Sequence, residues 1–356
     1  MHKGWFHTEI TSSAKKLSKE VIDINDLTNG KSTKILEAEI KNIFGVESAI
    51  YTSSGTSALS MALLASNIGP GDVVATSGVG WIATVQAVKF TGAEVLLLDV
   101  EDDLPILDIN KISNVSNKIS ALIPVNYNGR QIDIDTIRKI IPNKKIIEDS
   151  CKSLFSKDFK QNSYSGLNGD FGCFSLGMIS MLPGIYGGII VSKKKDYETL
   201  NCLKWHGTTY ENNKEEYKKY SYNFKTSNVH ASIALGMLET YKDRIEKLNL
   251  IYEMYRNGLD GLENNQLIPV NINKGEIPLL IDIISKDRDA ITKSLNLNNL
   301  PTCNYHESLD KAYYTKTYEI LTNSEKFATK VFHPPCGPDQ DLKKIEESIR
   351  IIKNFG

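Results

Sequence analysis

The sequence has little of what marks secreted, metal-binding or membrane-spanning proteins. Its 356 residues include only five cysteines, an odd number without a CxxC spacing, which argues against a disulfide framework and a structural zinc site. No apolar run approaches the roughly 18 residues that a membrane helix needs, and the first residues lack the apolar core of a signal peptide. We therefore expect a cytoplasmic protein without a bound metal ion.

An excess of charge of one sign is also lacking. Lys plus Arg number 42 and Asp plus Glu number 43, which gives a formal net charge of −1. Such a chain has no strong global field to attract nucleic acid or an anionic membrane. With 41% hydrophobic and 24% charged residues, it has the composition of an ordinary soluble globular protein. We therefore expect neither nucleic acid nor a membrane as a partner.

The order of apolar and amphipathic segments predicts an α/β fold. From about residue 33 to 204, short β-branched runs alternate with helical periodicity, which is typical of a mostly parallel sheet with crossover helices. The predicted strands, apolar enough to be buried on both faces, cover 49–52, 73–76, 95–100, 119–125, 145–148, 172–176 and 188–192. Later segments are more charged, with one further strand over 279–284. We therefore predict a large domain over residues 1–240 and a smaller C-terminal α/β domain over residues 241–356.

Two segments place polar groups at the ends of predicted strands. Residues 51–58, YTSSGTSA, form a strand-to-helix junction, where free N–H groups and the helix dipole can bind a phosphate. Alternatively, Ser54 or Thr56 only caps the helix. Asp149 ends another strand, where open α/β sheets bind their ligands. Its carboxylate could keep a ring nitrogen protonated, or it could cap the following turn.

Two further segments offer groups for a flat, phosphorylated ligand. Ser175 ends a predicted strand and can donate to a phosphate, and Gly187 and Gly188 allow another stretch of backbone to pass closely. Trp81 could stack on a flat ring or lie in the core as an ordinary tryptophan.

Taken in order, these four segments resemble the DegT/DnrJ/EryC1/StrS family, the sugar-aminotransferase branch of fold-type I pyridoxal-phosphate enzymes. The resemblance covers nearly the whole chain and includes GPGD at 69–72, PVNYNG at 124–129, DID at 133–135, WHG at 205–207 and NFK at 223–225. It implies a seven-stranded, mostly parallel central sheet and a small C-terminal α/β domain. It further implies pyridoxal or pyridoxamine 5′-phosphate as cofactor, a keto-sugar on a nucleoside diphosphate as substrate, and a homodimer with shared active sites.

The resemblance also implies roles for individual residues around the cofactor. Gly55, Thr56 and Ser175 would bind its phosphate, and Trp81 would stack on its pyridine ring. Asp149 would pair with the pyridine N–H and so keep the ring an electron acceptor.

Three more residues receive roles outside that group. Asn223 would reach the cofactor phosphate of the neighbouring subunit. His206 and Tyr305 lie in segments that border the substrate pocket in relatives, although either could equally be structural.

The chain departs from the family at the lysine that forms the Schiff base. That lysine lies six residues after the equivalent of Phe174, and here the position holds Ser180. A serine hydroxyl cannot form an imine and is a poor base. We therefore expect the cofactor to be held without a covalent bond.

Lys152 is the second departure, since relatives usually carry Gln or His there, against the phenolic oxygen of the cofactor. An amine at this position lies beside the aldehyde edge of the cofactor. Three roles remain open for Lys152: it replaces the missing imine lysine, it pairs with the phenolate of a noncovalent cofactor, or it is a solvated replacement in a decayed site. We predict Asp149, Lys152, Ser180 and His206 as the catalytic residues.

Three functions are compatible with these departures. The first is an atypical aminotransferase-like enzyme for a nucleotide-linked keto-sugar in glycan or surface polysaccharide biosynthesis. The second is a pyridoxamine-phosphate-dependent sugar dehydratase, in which Lys152 or His206 would have to replace the histidine usual in such enzymes. The third is a homologue that no longer transaminates and uses the old cofactor site for other sugar or phosphate chemistry, or for binding alone.

Overall fold

The computed structural model describes residues 4–158, 162–211, 214–262 and 268–356. The helices in these ranges are α1 (Ser12–Asp23), α2 (Lys31–Phe44), α3 (Gly55–Ala65), α4 (Ile82–Phe90), α5 (Ile134–Ile140), α6 (Tyr197–Lys204), α7 (Asn228–Leu238), α8 (Tyr241–Gly258), α9 (Arg288–Leu297), α10 (Thr322–Lys330) and α11 (Leu342–Lys353). None of these described helices combines the length and the apolarity needed to cross a membrane.

The strands in the same described ranges form one large and three smaller sheets. They are β1 (Ser48–Thr52), β2 (Val73–Ser77), β3 (Glu94–Leu98), β4 (Ala121–Ile123), β5 (Lys145–Asp149), β6 (Lys157–Asp158), β7 (Ser163–Tyr164), β8 (Phe171–Ser175), β9 (Gly188–Ser192), β10 (Thr208–Glu211), β11 (Lys214–Tyr217), β12 (Ile268–Pro269), β13 (Ile283–Ile284), β14 (Cys303–Asn304), β15 (Lys316–Thr317) and β16 (Val331–His333). The two hairpins, β6–β7 and β10–β11, are two-stranded sheets.

The central sheet confirms the predicted α/β fold. Its strand order is β1-β9-β8-β5-β4-β2-β3-β15. Strand β9 runs antiparallel to β1 and β8, and the other described pairs are parallel. The seven strands predicted over residues 49–192 are all present. The expected number of seven is nevertheless one too low, because the two-residue strand β15 adds an eighth at the edge. A pair as short as Lys316 and Thr317 carries no apolar pattern from which a strand could be predicted.

The inner strands are buried on both faces, as their continuous apolar runs indicate. Alternate residues point to opposite faces of the sheet and enter two separate apolar cores. One core contains Val74, Ile123 and Ile147, and the other contains Ala75, Leu122 and Ile146. Since both faces are covered, access for a ligand is left at the edge where the strands end.

The C-terminal part builds a second, smaller sheet. Its four antiparallel strands have the order β12-β13-β16-β14, and α8, α9 and α11 contribute to the same apolar core. The strand predicted over 279–284 is present only as Ile283–Ile284, although residues 279–282 are also buried. Near the N-terminus, Trp5 accepts a hydrogen bond at 2.7 Å from the backbone N–H of Cys336. The division into 1–240 and 241–356 stays a prediction.

A buried ion pair joins the segment after β4 to this smaller sheet. Nη1 of Arg130 lies 2.6 Å from Oδ2 of Asp282, and the two side chains are only 2% and 1% exposed. Asn128 donates to the same oxygen at 2.8 Å, and Nδ1 of His333 lies 3.2 Å from Oδ1. Although burial opposes ionisation, these partners, with Arg130 first, lower the pKa of Asp282 to about 2. The carboxylate is therefore charged throughout the physiological pH range.

Replacing this buried carboxylate is expected to be costly. Asp282→Asn should lower the free energy of unfolding by about 3–5 kcal/mol, because it leaves the Arg130 guanidinium buried without its counter-charge. Urea unfolding followed by circular dichroism measures the change. The matched control is Asp102→Asn, which removes an ion pair to Lys326 from a side chain that is 81% exposed. The control should stay within about 1 kcal/mol of wild type, and an equal loss in both variants would contradict the role given to burial.

Candidate active site

A pocket of about 400 Å³ opens at the edge where the strands of the central sheet end. The segments that follow β1, β2, β4, β5 and β8 line one side, and residues of the C-terminal part, among them His306 and His333, line the other. This is the position at which open α/β sheets bind ligands, and the volume is typical of a small-molecule site. In the described part of the chain, no group of three or more His, Cys, Asp or Glu side chains could hold a metal ion.

The first turn of α3 faces this pocket. Ser54 accepts a hydrogen bond at 3.0 Å from the backbone N–H of Ser57, so the capping alternative is confirmed for Ser54. Gly55 and Thr56 follow within the first turn and line the pocket, where N–H groups have no acceptor within the helix. The Ser54 cap and free N–H groups therefore coexist in this junction, and anion binding there stays a prediction.

Glycine is required where α3 meets the neighbouring strands. A Cβ on Gly55 would lie 2.6 Å from Sγ of Cys151 and 3.1 Å from Cβ of Ser175. A Cβ on Gly188 would collide with the carbonyl oxygen of Ser54. These contacts confirm the predicted close backbone approach and bring Ser175, at the end of β8, to the same side of the pocket as the helix N-terminus.

Asp149 lies at the carboxyl end of β5 and lines the pocket, although only 5% of it is exposed. Its Oδ2 accepts a hydrogen bond at 2.6 Å from Oγ1 of Thr84, and its Oδ1 accepts one at 3.2 Å from the N–H of Cys151. The carboxylate therefore caps the following turn and also faces the pocket. Sequence reasoning missed Thr84, whose signal was its position one helical turn after Trp81.

Trp81 is a wall of the pocket and not a core residue. Its side chain is 54% exposed, and its ring centroid lies 4.5 Å from that of His306 at an interplanar angle of 58°. The alternative of an ordinary buried tryptophan is therefore wrong. Trp81 immediately precedes α4. It lines the pocket together with Thr84, which lies in the first turn of that helix.

Lys152 brings a primary amine into the pocket. Its Nζ donates a hydrogen bond at 2.5 Å to the backbone oxygen of Ile179. Burial lowers the pKa of Lys152 to about 8, although the neighbouring Cys151 and Asp149 act in the opposite direction. An appreciable fraction of this amine is therefore uncharged near neutral pH, which is a condition for a nucleophile or a general base.

Ser180 is turned away from the pocket. The residue is 1% exposed, and its hydroxyl donates a hydrogen bond at 2.7 Å to the backbone oxygen of Gly177. Gly177 and Ile179 line the pocket, whereas Ser180 is not among the described lining residues. The segment therefore presents backbone rather than the Ser180 side chain to a ligand, and the catalytic role predicted for Ser180 stays a prediction without support from its contacts.

Three other predicted residues lie outside the described pocket wall. His206 is exposed, with a φ of 62°, in the turn beside the bridge between Trp205 and Asn223. Asn223 is exposed as well. Tyr305 is buried behind the wall, with its ring centroid 5.2 Å from that of Tyr127. The roles of His206, Asn223 and Tyr305 stay predictions, and this pocket supports neither His206 nor Tyr305 as a residue that touches its contents.

Two histidines and one tryptophan of the far wall were missed by sequence reasoning. His306 directly follows Tyr305, and partial burial, with help from His333 and Lys152, lowers its pKa to about 4. His333 stacks on Trp5, with ring centroids 5.2 Å apart and an interplanar angle of 14°. No local motif marks these residues, because only the packing of the C-terminal part against the sheet edge brings them to the pocket.

Comparison with solved structures confirms the fold. A DegT DnrJ EryC1 StrS aminotransferase from Brucella abortus has a TM-score of 0.88 at 22% identity, with 98% of this chain and 99% of that chain covered. An E. coli GDP-4-keto-6-deoxy-D-mannose-3-dehydratase with bound hydrated PLP has a TM-score of 0.90 at 19% identity, with 98% of each chain covered. Helicobacter pylori PseC, an aminotransferase involved in the biosynthesis of pseudoaminic acid, has a TM-score of 0.88 at 18% identity, with 100% of this chain and 99% of that chain covered.

The sequence comparison goes further than the fold. The model of the DegT/DnrJ/EryC1/StrS aminotransferase family matches residues 8–353, which is almost the whole chain. The resemblance seen in the motifs around Gly55, Asp149 and Ser175 is thereby confirmed, and the chain belongs to the DegT/DnrJ/EryC1/StrS aminotransferase family.

Proposed function

We propose that this chain is a cytoplasmic enzyme that uses pyridoxal or pyridoxamine phosphate to process a nucleotide-linked keto-sugar. The reaction is an aminotransferase-like step in the biosynthesis of a glycan or surface polysaccharide. The observation that carries the proposal is the meeting of an anion-binding helix N-terminus and the buried Asp149 carboxylate in one pocket. Family membership supports the same class of enzyme.

The residues present fit this cofactor. Its phosphate matches the first turn of α3 and the hydroxyls of Thr56 and Ser175, which line the pocket together. Its flat ring matches the exposed face of Trp81. Asp149 already accepts one hydrogen bond on each oxygen, and an ionised carboxylate has lone pairs left for a protonated ring nitrogen.

Each of these residues has a task that does not depend on the missing lysine. The bound cofactor supplies an electron sink for the substrate carbon that carries the nitrogen. Asp149 holds a proton on the ring nitrogen, and the Thr84 hydroxyl fixes the orientation of that carboxylate. His306 lies beside Trp81 and is uncharged at neutral pH because its pKa is lowered to about 4, so its ring can orient a substrate through hydrogen bonds but is too weak a base to hold a proton.

A dehydratase that uses pyridoxamine phosphate is the second candidate. The observation that favours it is made at position 180, where the resemblance places a lysine. Here the Ser180 hydroxyl donates a hydrogen bond to Gly177, so this position supplies no amine to the pocket. The fold of the E. coli dehydratase with bound hydrated PLP is equally similar to this chain. The two candidates differ in product, since the dehydratase removes a sugar hydroxyl as water and the aminotransferase leaves an amino-sugar.

Binding of pyridoxamine phosphate is the first test of the proposed function. Isothermal titration calorimetry should detect binding to the wild type, and Asp149→Asn should raise the Kd about 10–100-fold, because it removes a charged hydrogen-bond partner of the ring nitrogen. Asp102→Asn, at an exposed carboxylate of the same type, should leave the Kd unchanged. An unchanged Kd in Asp149→Asn would refute the pyridine-binding role, and no binding to the wild type would refute the proposed function.

We also propose that the enzyme is a homodimer with shared active sites. Asn223 is exposed and is not among the described residues that line the pocket of its own subunit. This supports a role for its amide in binding the cofactor phosphate in the pocket of a second copy. Closed twofold dimers exchange such contacts reciprocally.

Mixing two inactive variants tests this arrangement. Asn223→Ala and Asp149→Asn subunits should each have low turnover when alone. After unfolding and refolding together in equal amounts, they should recover up to about a quarter of the wild-type activity, because half of the dimers are mixed and each mixed dimer has one intact site. Mixing the same variants without refolding controls for additive residual activity. No recovery in mixed dimers that form normally would contradict shared sites.

A further inference from the structure

We propose that Lys152 has taken over the covalent role of the missing lysine, by condensing with the aldehyde carbon of pyridoxal phosphate. This inference rests on the proposed function, because it requires the cofactor to occupy the pocket. It departs from the sequence-based expectation of a noncovalent cofactor and selects one of the three roles that the sequence left open for Lys152.

The first argument is the place that the amine reaches. Nζ of Lys152 donates its 2.5 Å hydrogen bond to the backbone oxygen of Ile179, which is the residue immediately before Ser180. Both Lys152 and Ile179 line the pocket. The Ser180 side chain is not among the described lining residues and donates its hydrogen bond to the backbone oxygen of Gly177. An amine that starts after β5 is therefore delivered beside the backbone that would carry the family's lysine.

The second argument is the lack of a strong counter-ion. Among the described residues, Nζ of Lys152 has a backbone carbonyl as its hydrogen-bond acceptor and no carboxylate within 4.0 Å. A carboxylate in direct contact would hold the proton on the amine, whereas a carbonyl in a buried site does so only weakly. Lys152 can therefore lose its proton and attack, which is the behaviour of buried lysines that form Schiff bases.

The charged groups that face the amine leave it partly neutral at the pH of a cytoplasm. Burial lowers its pKa to about 8, and Asp149 and Cys151, on the same segment, limit this shift. From the opposite wall, His306 is uncharged above a pKa of about 4 and His333 is stacked on Trp5. Among these groups, Asp149 is the one carboxylate whose charge acts on the amine, although it is not in direct contact with Nζ. The same carboxylate would accept the pyridine N–H of the cofactor.

The proposed step balances without a further reactant. The uncharged Nζ of Lys152 attacks the aldehyde carbon and forms a C–N bond. Its two hydrogens and the aldehyde oxygen then leave as one water molecule, and a C=N bond remains. No oxidant or reductant is consumed. A substrate amine reverses the link by replacing Lys152 at the same carbon, which returns the free lysine as a base close to the reacting atoms.

Trapping the link with borohydride tests the inference. Wild-type protein is incubated with pyridoxal phosphate, reduced, and digested for peptide mass mapping. We expect the reduced cofactor on Lys152 at close to one equivalent, and its loss from this position in Lys152→Arg, which keeps the positive charge but cannot form the bond. Exposed lysines such as Lys195 give the background of nonspecific modification, and Lys195→Arg should leave the adduct on Lys152 unchanged.

Pyridoxamine phosphate separates a failure of this inference from a failure of the proposed function, since it has no aldehyde. If Lys152→Arg and the wild type both bind pyridoxamine phosphate but the wild type gives no adduct at Lys152, the inference is overturned and the proposed function stands. If neither cofactor form binds, both are overturned. Ser180→Lys is the second variant, and an adduct that moves from position 152 to position 180 would support delivery of both amines to one carbon.

The titration of Lys152 can be measured without any cofactor. Competitive labelling with trace acetic anhydride over a range of pH, read by peptide mass mapping, should give a midpoint near pH 8 for Lys152. Because the neutral amine is the reactive form, Lys152 should be labelled at a lower pH than a free lysine amine, whose pKa is about 10.4. Labelling of Lys152 that rises only in the pH range of a free lysine amine would contradict the presence of an uncharged amine in the pocket.

Discussion

The buried pair of Asp282 and Arg130 is the interaction on which the pocket depends. Arg130 belongs to the segment that follows β4 at the edge of the central sheet, and Asp282 belongs to the C-terminal part. Their contact, with Asn128 on the same carboxylate, fixes how closely the two parts approach. His333 touches that carboxylate and also lines the pocket. Separating the two parts would break this ion pair and the hydrogen bond of Asn128 to the same carboxylate, so these contacts hold the far wall of the pocket against the sheet edge.

The sheet contributes the other half of the site through a constraint of its own. Parallel strands end at one edge, so residues far apart in sequence, such as Gly55, Asp149 and Ser175, meet there. Trp81, just before α4, then supplies its exposed ring, and the first turn of α4 supplies the Thr84 hydroxyl that holds Asp149. Ser54 and Asp149 cap a helix and a turn and also line the pocket, so the simpler structural explanations for them are correct without excluding the proposed function.

In the proposed chemistry, Lys152 supplies from the end of β5 the amine that the resemblance places at position 180. The backbone oxygen of Ile179 accepts a hydrogen bond from Lys152, and the side chain at 180 is a buried hydroxyl. The Lys152 amine reaches the backbone oxygen of Ile179 from the end of β5, because β5 and β8 are neighbours in the sheet. The low dielectric of the site favours the neutral form of the amine, since no carboxylate in the described part of the chain lies within 4.0 Å of Nζ.

The sequence by itself determined the fold class, the seven strands over residues 49–192 and the strand-end positions of Gly55, Asp149 and Ser175, because apolar periodicity, turn glycines and strand ends are local signals. It did not determine the two-residue strand β15, the exposure of Trp81, or the presence of His306 and His333 at the pocket. These depend on how the C-terminal part packs against the sheet edge, through contacts between residues far apart in sequence, such as Trp5 and His333, which are 328 positions apart. Only the tertiary structure decided where the amine of Lys152 lies, since a flexible side chain takes its direction and its pKa from neighbours that no local pattern specifies.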